Sequence, residues 1–288
     1  MLPSQLPAFG PGQLFAFGFG YVATELARIL RADGVTAAGT VRSAASAEPL
    51  LAQGWNAALW PGDNIVPPNG AAWLISVPPD EAGCPVFRAF EAHAASASWI
   101  GYLSTTGVYG DLGGGWAFEE TPLNPQSREA INRARAEEQW LSLGAHVFRL
   151  PGIYGPGRSQ LDRVREPNAR RIVKPGQVFS RAHVSDIASA LHLALRRRSS
   201  EHIFNICDDE PAPADEVLVH AAGLLSIAPP PAVTFEDANL SPAAQRFYAE
   251  CKRVSNAKAK AALNWRPRFP TYREGLLDCL QAESVAST

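Results

Sequence analysis

The chain has 288 residues, 46% of them hydrophobic, which is enough apolar material for a substantial core and excludes a disordered chain. With 26 basic and 28 acidic residues the formal charge is −2, which gives no reason to expect nucleic acid or a membrane surface as a partner. No apolar run approaches transmembrane length. The four cysteines (Cys84, Cys207, Cys251, Cys279) form no CxxC and no metal-ligand spacing with His, so thiols in a reducing cytoplasm and no metal are expected.

Residues 1–12, MLPSQLPAFGPG, lack the charged and apolar regions of a signal peptide and read as a loose extension. QLFAFG (13–18) reads as a buried strand, YVATELARILRADG (21–34) as an amphipathic helix ending at Gly34, and TAAGTV (36–41) as a second strand. A helix near 45–53 and a short strand near 56–60 follow. AAWLISV (71–77), SWIGYLST (98–105) and HVFRLP (146–151) are further strands, with helical stretches in most gaps. Strands alternating with helices imply an α/β fold with a doubly wound parallel sheet covered on both faces.

After residue 155 the character changes. GPGRSQLDRVREPNARR (155–171) is polar and loop-like. FSRAHVSDIASALHLALRRR (179–198) reads as a short strand running into a helix whose Arg196–Arg198 end suits the helix dipole. IFNICDDE (203–210) is another strand and PADEVLVHAAGLL (213–225) a helix. The expected division is a dinucleotide-binding domain over 13–155, with returning segments near 179–208, and a smaller C-terminal substrate cap mainly over 156–288.

GFGYVA (Gly18 to Ala23) sits where the first strand meets the first helix. Gly18 allows a tight turn, Gly20 lets the backbone approach a pyrophosphate, and Ala23 lets helix and strand pack closely. The helix N-terminus, with Phe19, Tyr21 and Val22, then presents free N–H groups and a positive dipole end to phosphates. The next strand ends GTVRS (39–43), with Arg42 and Ser43 where an NAD site usually carries an acid. A guanidinium fork suits a 2′-phosphate, so NADP(H) is expected over NAD(H).

STTGVYG (104–110), ETPLNP (120–125), RLPGIYGPGR (149–158), RAHVSDIASAL (181–191), FNICDDEP (204–211) and KRVSNAKAKAALNWRPRF (252–269) follow in that order. Together they resemble the extended short-chain dehydrogenase/reductase superfamily, most closely its NAD-dependent epimerase/dehydratase branch. The likeness covers about 13 to 280. It implies a Rossmann domain with a substrate cap, a nicotinamide cofactor, and a small-molecule substrate that is commonly a nucleotide-activated sugar. It also implies a homodimer through the helices after the fourth and fifth strands. On this resemblance Val77 and Pro151 line the cofactor site. Thr105 falls on the catalytic Ser/Thr position with Thr106 beside it, and Gly152 and Ile153 begin the substrate pocket. Arg158, Arg181 and His183 face the substrate, and Asp186 supports a helix start.

The family pairs a Tyr with a Lys four residues on, one turn of helix apart. Here SREAINRARAEEQW (127–140) offers Glu129 and Arg133, or Ala130 and Ala134 one register over. It has no Tyr, and the chain has no Lys before Lys174. The sequence therefore resembles atypical members that keep the cofactor fold and lose the pair. Tyr109 and Tyr154 are candidate replacement proton donors. Glu129 and Arg133 read either as an acid with a ribose-binding cation or, preferentially, as a surface ion pair of small value. An NADP(H)-dependent oxidoreductase or epimerase/dehydratase-like enzyme with a non-standard mechanism is the leading reading. A catalytically silent NADP(H) sensor is the alternative.

Overall fold

The computed structural model describes residues 12–197 and 199–286, so the extension 1–11 and Arg198 lie outside the described residues. Strand β1 (Gln13–Phe17) alternates its side chains between two cores. Leu14 and Ala16 enter one, Phe15 and Phe17 the other, which is why it reads as an unbroken apolar run. Helix α1 (Tyr21–Ala32) buries Val22, Ala23, Leu26, Ala27 and Leu30 as one stripe at helical spacing. There follow β2 (Thr36–Val41), α2 (Ala44–Ala52), β3 (Asn56–Leu59), β4 (Ala72–Ile75), α3 (Pro85–Phe90) and β5 (Trp99–Thr105). After β6 (Trp116–Ala117) come α4 (Arg128–Leu141) and β7 (His146–Leu150).

The cap elements then interleave with returning ones. They are β8 (Gly152–Tyr154), α5 (Gln160–Arg165), β9 (Arg171–Val173), β10 (Arg181–His183), α6 (Val184–Arg196), β11 (Ile203–Asn205) and α7 (Ala214–Leu224). The C-terminal part holds β12 (Ala232–Thr234), α8 (Pro242–Ala249), β13 (Arg253–Val254), α9 (Ala257–Leu263) and α10 (Tyr272–Ala286). The seven-stranded sheet runs β11–β7–β5–β4–β1–β2–β3, with neighbours parallel. The chain winds outward from β1 to β3 and then returns to β4. That reversal opens a crevice at the carboxyl ends of β1 and β4.

A separate apolar cluster under the cap joins Tyr154, Leu161, Val164, Val217, Leu218, Tyr272 and Leu276. The polar stretch 155–171 is not all loop: it holds α5. Ser159 and Asp162 close a capping box at its start, a Ser-x-x-Asp signal present in the sequence. No described helix is long and apolar enough to cross a membrane.

Candidate active site

The glycine turn lies at this crevice. Gly18 has φ +88, and a Cβ there would stand 2.5 Å from Ser76 Oγ. Ser76 Oγ donates to the Gly18 carbonyl at 2.6 Å, and the Gly18 N–H donates to Thr40 Oγ1 at 3.1 Å. The ends of β1, β2 and β4 are thus tied into one rigid edge. Gly20 caps α1 with nothing within 4 Å of where its Cβ would be, so a ligand can approach the backbone closely. The Tyr21 hydroxyl donates to the Pro156 carbonyl at 3.0 Å and pins the cap loop over the turn.

Other expected cofactor residues fall around this edge in different ways. Phe19 is buried against Trp55 and leaves only its backbone to the turn. Val77 follows β4, with its N–H beside Gly18. Arg42 stands exposed just past β2 with no ion pair among the described residues. The Ser43 hydroxyl caps α2, accepting from the Ser46 N–H at 3.3 Å. A cleft of about 200 Å³ runs from Gly20, Tyr21 and Val22 past Ser76 to Arg133 and the exposed Arg158.

Helix α4 forms the far wall. Ser127 caps it by accepting from the Ala130 N–H at 3.1 Å. Its inner face rests on a buried polar network. Arg149 of β7 donates through Nη2 to Glu137 Oε2 at 2.7 Å, and Ser104 Oγ donates to Glu137 Oε1 at 2.5 Å. One turn earlier, Arg133 Nη1 donates to the Leu103 carbonyl at 2.7 Å and to the Tyr102 hydroxyl at 3.2 Å. The expected surface pair is therefore absent: no Glu129–Arg133 ion pair forms. Arg133 borders the cleft, whereas Glu129 borders a second, larger cavity. A partly buried carbonyl and phenol offer the guanidinium more than an exposed carboxylate does, since exposed pairs contribute little.

That second cavity, about 810 Å³, lies between the sheet edge and the cap and meets the cleft at Ile153. Thr105, Thr106, Glu129, Pro151, Gly152 and Ile153 border it on the sheet side, and Tyr154 and Arg181 lie at its floor. The Thr105 hydroxyl accepts from the Gly107 N–H at 3.1 Å, which leaves its own proton to donate into the cavity. Arg181 is buried, donates to the Ala212 carbonyl at 3.1 Å and lies over the Tyr272 ring. The Tyr154 hydroxyl is also buried, and desolvation raises its pKa well above the usual phenol value.

Two expectations are corrected. Tyr109 is 0% exposed and does not border the cavity; its hydroxyl donates to Asn205 Oδ1 at 2.7 Å and accepts from Arg149 Nη1 at 3.0 Å. Burial pushes its pKa up to about 12, and it belongs to the structural network rather than the site. His183 is also 0% exposed and lies off the cavity. Its Nδ1 accepts from the Ser185 N–H at 3.3 Å to cap α6, and burial pushes its pKa down to about 4. Asp186 anchors the loop after α9, accepting from the Arg268 and Phe269 N–H groups at 2.6 and 3.0 Å.

Sequence reasoning missed Ser76, whose clue is the Ser that follows a buried strand at the switch point. It also missed Arg163, Arg170 and Arg246, which border the cavity from the cap. No local pattern marks those three.

No family model matches the chain. A functionally unknown conserved protein from Silicibacter pomeroyi DSS is 44% identical, with a TM-score of 0.90 over 94% of this chain and 99% of that one. The two are members of one family. The dTDP-glucose 4,6-dehydratase of Bacillus anthracis in complex with NAD is 16% identical, with a TM-score of 0.70 over 95% of this chain and 96% of that one. The fold is that of the extended short-chain dehydrogenases/reductases. A 3-diazoavenalumate denitrifying reductase from a Streptomyces species is 30% identical over 180 residues. That match spans 55% of this chain and 57% of the reductase, so it reaches little more than half of that protein's length. Helix α4 spans the segment for which the sequence resemblance expects a Tyr–Lys pair, and it offers Glu129 and Arg133, or Ala130 and Ala134 one register over.

Proposed function

We propose that the protein is a nicotinamide-dependent oxidoreductase, NADP(H)-preferring, that acts on a small polar substrate through Thr105, Glu129 and Arg133. One observation carries the reading. Residues one helical turn apart on α4 face two adjoining spaces, Arg133 the dinucleotide cleft and Glu129 the cavity, with Thr105 beside the latter. The residues at the cleft suit the cofactor: Gly18 has no room for a side chain, Gly20 is open to a pyrophosphate, and Arg42 is exposed with no ion pair among the described residues. A bound nicotinamide would supply the hydride chemistry.

The protein's own residues position and polarise. Arg133 would hold the ribose side of the cofactor through its guanidinium fork, which donates hydrogen bonds and accepts none. Thr105 donates a hydrogen bond to a substrate oxygen. A Glu129 carboxylate accepts hydrogen bonds and attracts positive charge, but it does not supply the proton that a tyrosine would. Reductase chemistry draws further support from the name of the Streptomyces relative. The sensor alternative draws on the missing Tyr and Lys. The enzyme reading is preferred because a sensor has no need of a cavity of about 810 Å³ beside the cleft.

Calorimetric titration with NADPH, NADP+, NADH and NAD+ tests this. The phosphorylated pair should bind more tightly, and Arg42→Ala should cut that preference about tenfold or more, a change of about 1.4 kcal/mol. Equal binding of both pairs removes Arg42 from the argument. Binding of none sinks the cofactor reading.

A further inference from the structure

We propose that the cavity takes a bipolar substrate, an elongated molecule with a positively charged end at Glu129 and a carboxylate or phosphate at the cap. This deepens the oxidoreductase reading and rests on it for which end reacts.

The charges that border the cavity are segregated. On the sheet side Glu129 has no ion pair among the described residues, and its neighbours along the wall are the hydroxyls of Thr105, Thr106 and Ser127. On the cap side stand Arg163 of α5, Arg170 just before β9, and Arg246 of α8. None of the three has an ion pair among the described residues. Their neighbours that point elsewhere are engaged: Arg165 pairs with Glu283 at 2.7 Å, and Arg171 donates to the Pro230 carbonyl at 2.8 Å. Lys252 and Glu250 also border the cavity but neutralise each other at 2.5 Å.

Phe179 and Phe247 also border the cavity, as does the buried Arg181 at its floor. Phe179 and Phe247 stack with ring centroids 4.4 Å apart and planes 9° from parallel. Phe247 is 57% exposed, which leaves much of its surface open. Three guanidinium groups bordering one space repel one another until an anion enters, and each presents a fork matched to carboxylate or phosphate oxygens. Opposite charges on facing walls orient a dipolar ligand before it docks. A substrate that is anionic throughout, such as a nucleotide diphosphate, would satisfy the arginines and leave Glu129 without a counter-charge.

The probes are trimethylammonio-carboxylates of increasing chain length, the matching alkyl carboxylates and alkyl trimethylammonium ions, and UDP. Binding is read by calorimetry with and without NADP+. At one chain length the dipolar probe should bind about tenfold more tightly than its alkyl carboxylate, a difference of about 1.4 kcal/mol. Glu129→Gln should erase that advantage and leave alkyl carboxylate binding unchanged. Arg163→Ala with Arg170→Ala and Arg246→Ala should weaken both carboxylate series about tenfold or more, leaving the trimethylammonium ions and NADP+ unaffected. All four side chains are exposed, so unchanged melting curves would confirm intact folds. Equal affinity of dipolar and alkyl carboxylates, tighter binding of UDP than of any dipolar probe, or no binding by the series overturns the proposal. Loss of NADP+ binding with probe binding intact would instead overturn the cofactor reading alone.

Discussion

At the scale of single residues, α4 depends on a buried ion pair beneath its inner face. Its register is held by Glu137, whose carboxylate takes three hydrogen bonds from the buried Arg149 and one from Ser104. The pair is dry: the side chains of Arg149 and Glu137 are 3% and 2% exposed. Removing the acid leaves a buried guanidinium without its counter-charge. Glu137→Ala should therefore cost about 3 kcal/mol or more in urea denaturation, whereas Glu129→Gln on the exposed side of the same helix should cost within about 0.5 kcal/mol. Equal effects would mean that the network does not fix the helix. Tyr109 teaches the complementary lesson. A hydroxyl near Thr105 in sequence satisfies Arg149 and Asn205, a demand that arises only when β7 and β11 close beside it.

At the scale of elements, the β1–α1 turn does two jobs with one glycine. Its positive φ lets the chain reverse into the helix, and its missing Cβ leaves space for Ser76. Gly18→Ala should destabilise the protein by about 1–2 kcal/mol from the left-handed backbone alone, read as a lowered Tm. It should also weaken dinucleotide binding, because relief of the clash moves the α1 N-terminus or the end of β4. Ser76→Ala removes only the hydroxyl that ties the turn, so its effect on binding should be smaller. The turn was legible from spacing and context, since Gly-x-Gly between an apolar strand and an amphipathic helix has few other uses. The helix α5 was not read, because its short polar segment carries little periodicity and its capping box stands among turn-forming residues.

At the scale of the whole molecule, the interface between sheet and cap stores uncompensated polarity. Asp208 is buried, with neither carboxyl oxygen hydrogen-bonded among the described residues. Burial pushes its pKa up to about 8, against a pull downward from Arg181. The native state therefore holds this proton from pH 3.8 to about 8, a range in which the unfolded chain has released it, so Asp208 costs stability as pH rises. Asp208→Asn should remove that dependence. Its stability advantage over the parent should grow by up to about 1 kcal/mol per pH unit between pH 5 and pH 7 and level off above pH 8, measured by denaturant titration at each pH. A constant difference across that range would mean that Asp208 is already ionised at pH 5.

The sequence by itself determined the alternation of strands and helices, the glycine turn, the cation after β2 and the lack of any Tyr or Lys in 127–140. Each of these is local: period, spacing or composition records it within a few turns of chain. Tertiary structure alone decided the rest. It turned Arg133 toward a strand carbonyl and Glu129 toward the cavity, sank Tyr109 and His183 into the core, and gathered Arg163, Arg170 and Arg246 along one wall. Those outcomes depend on which buried groups lack partners once the sheet and cap have closed on each other, and a residue's neighbours in the chain carry no record of that.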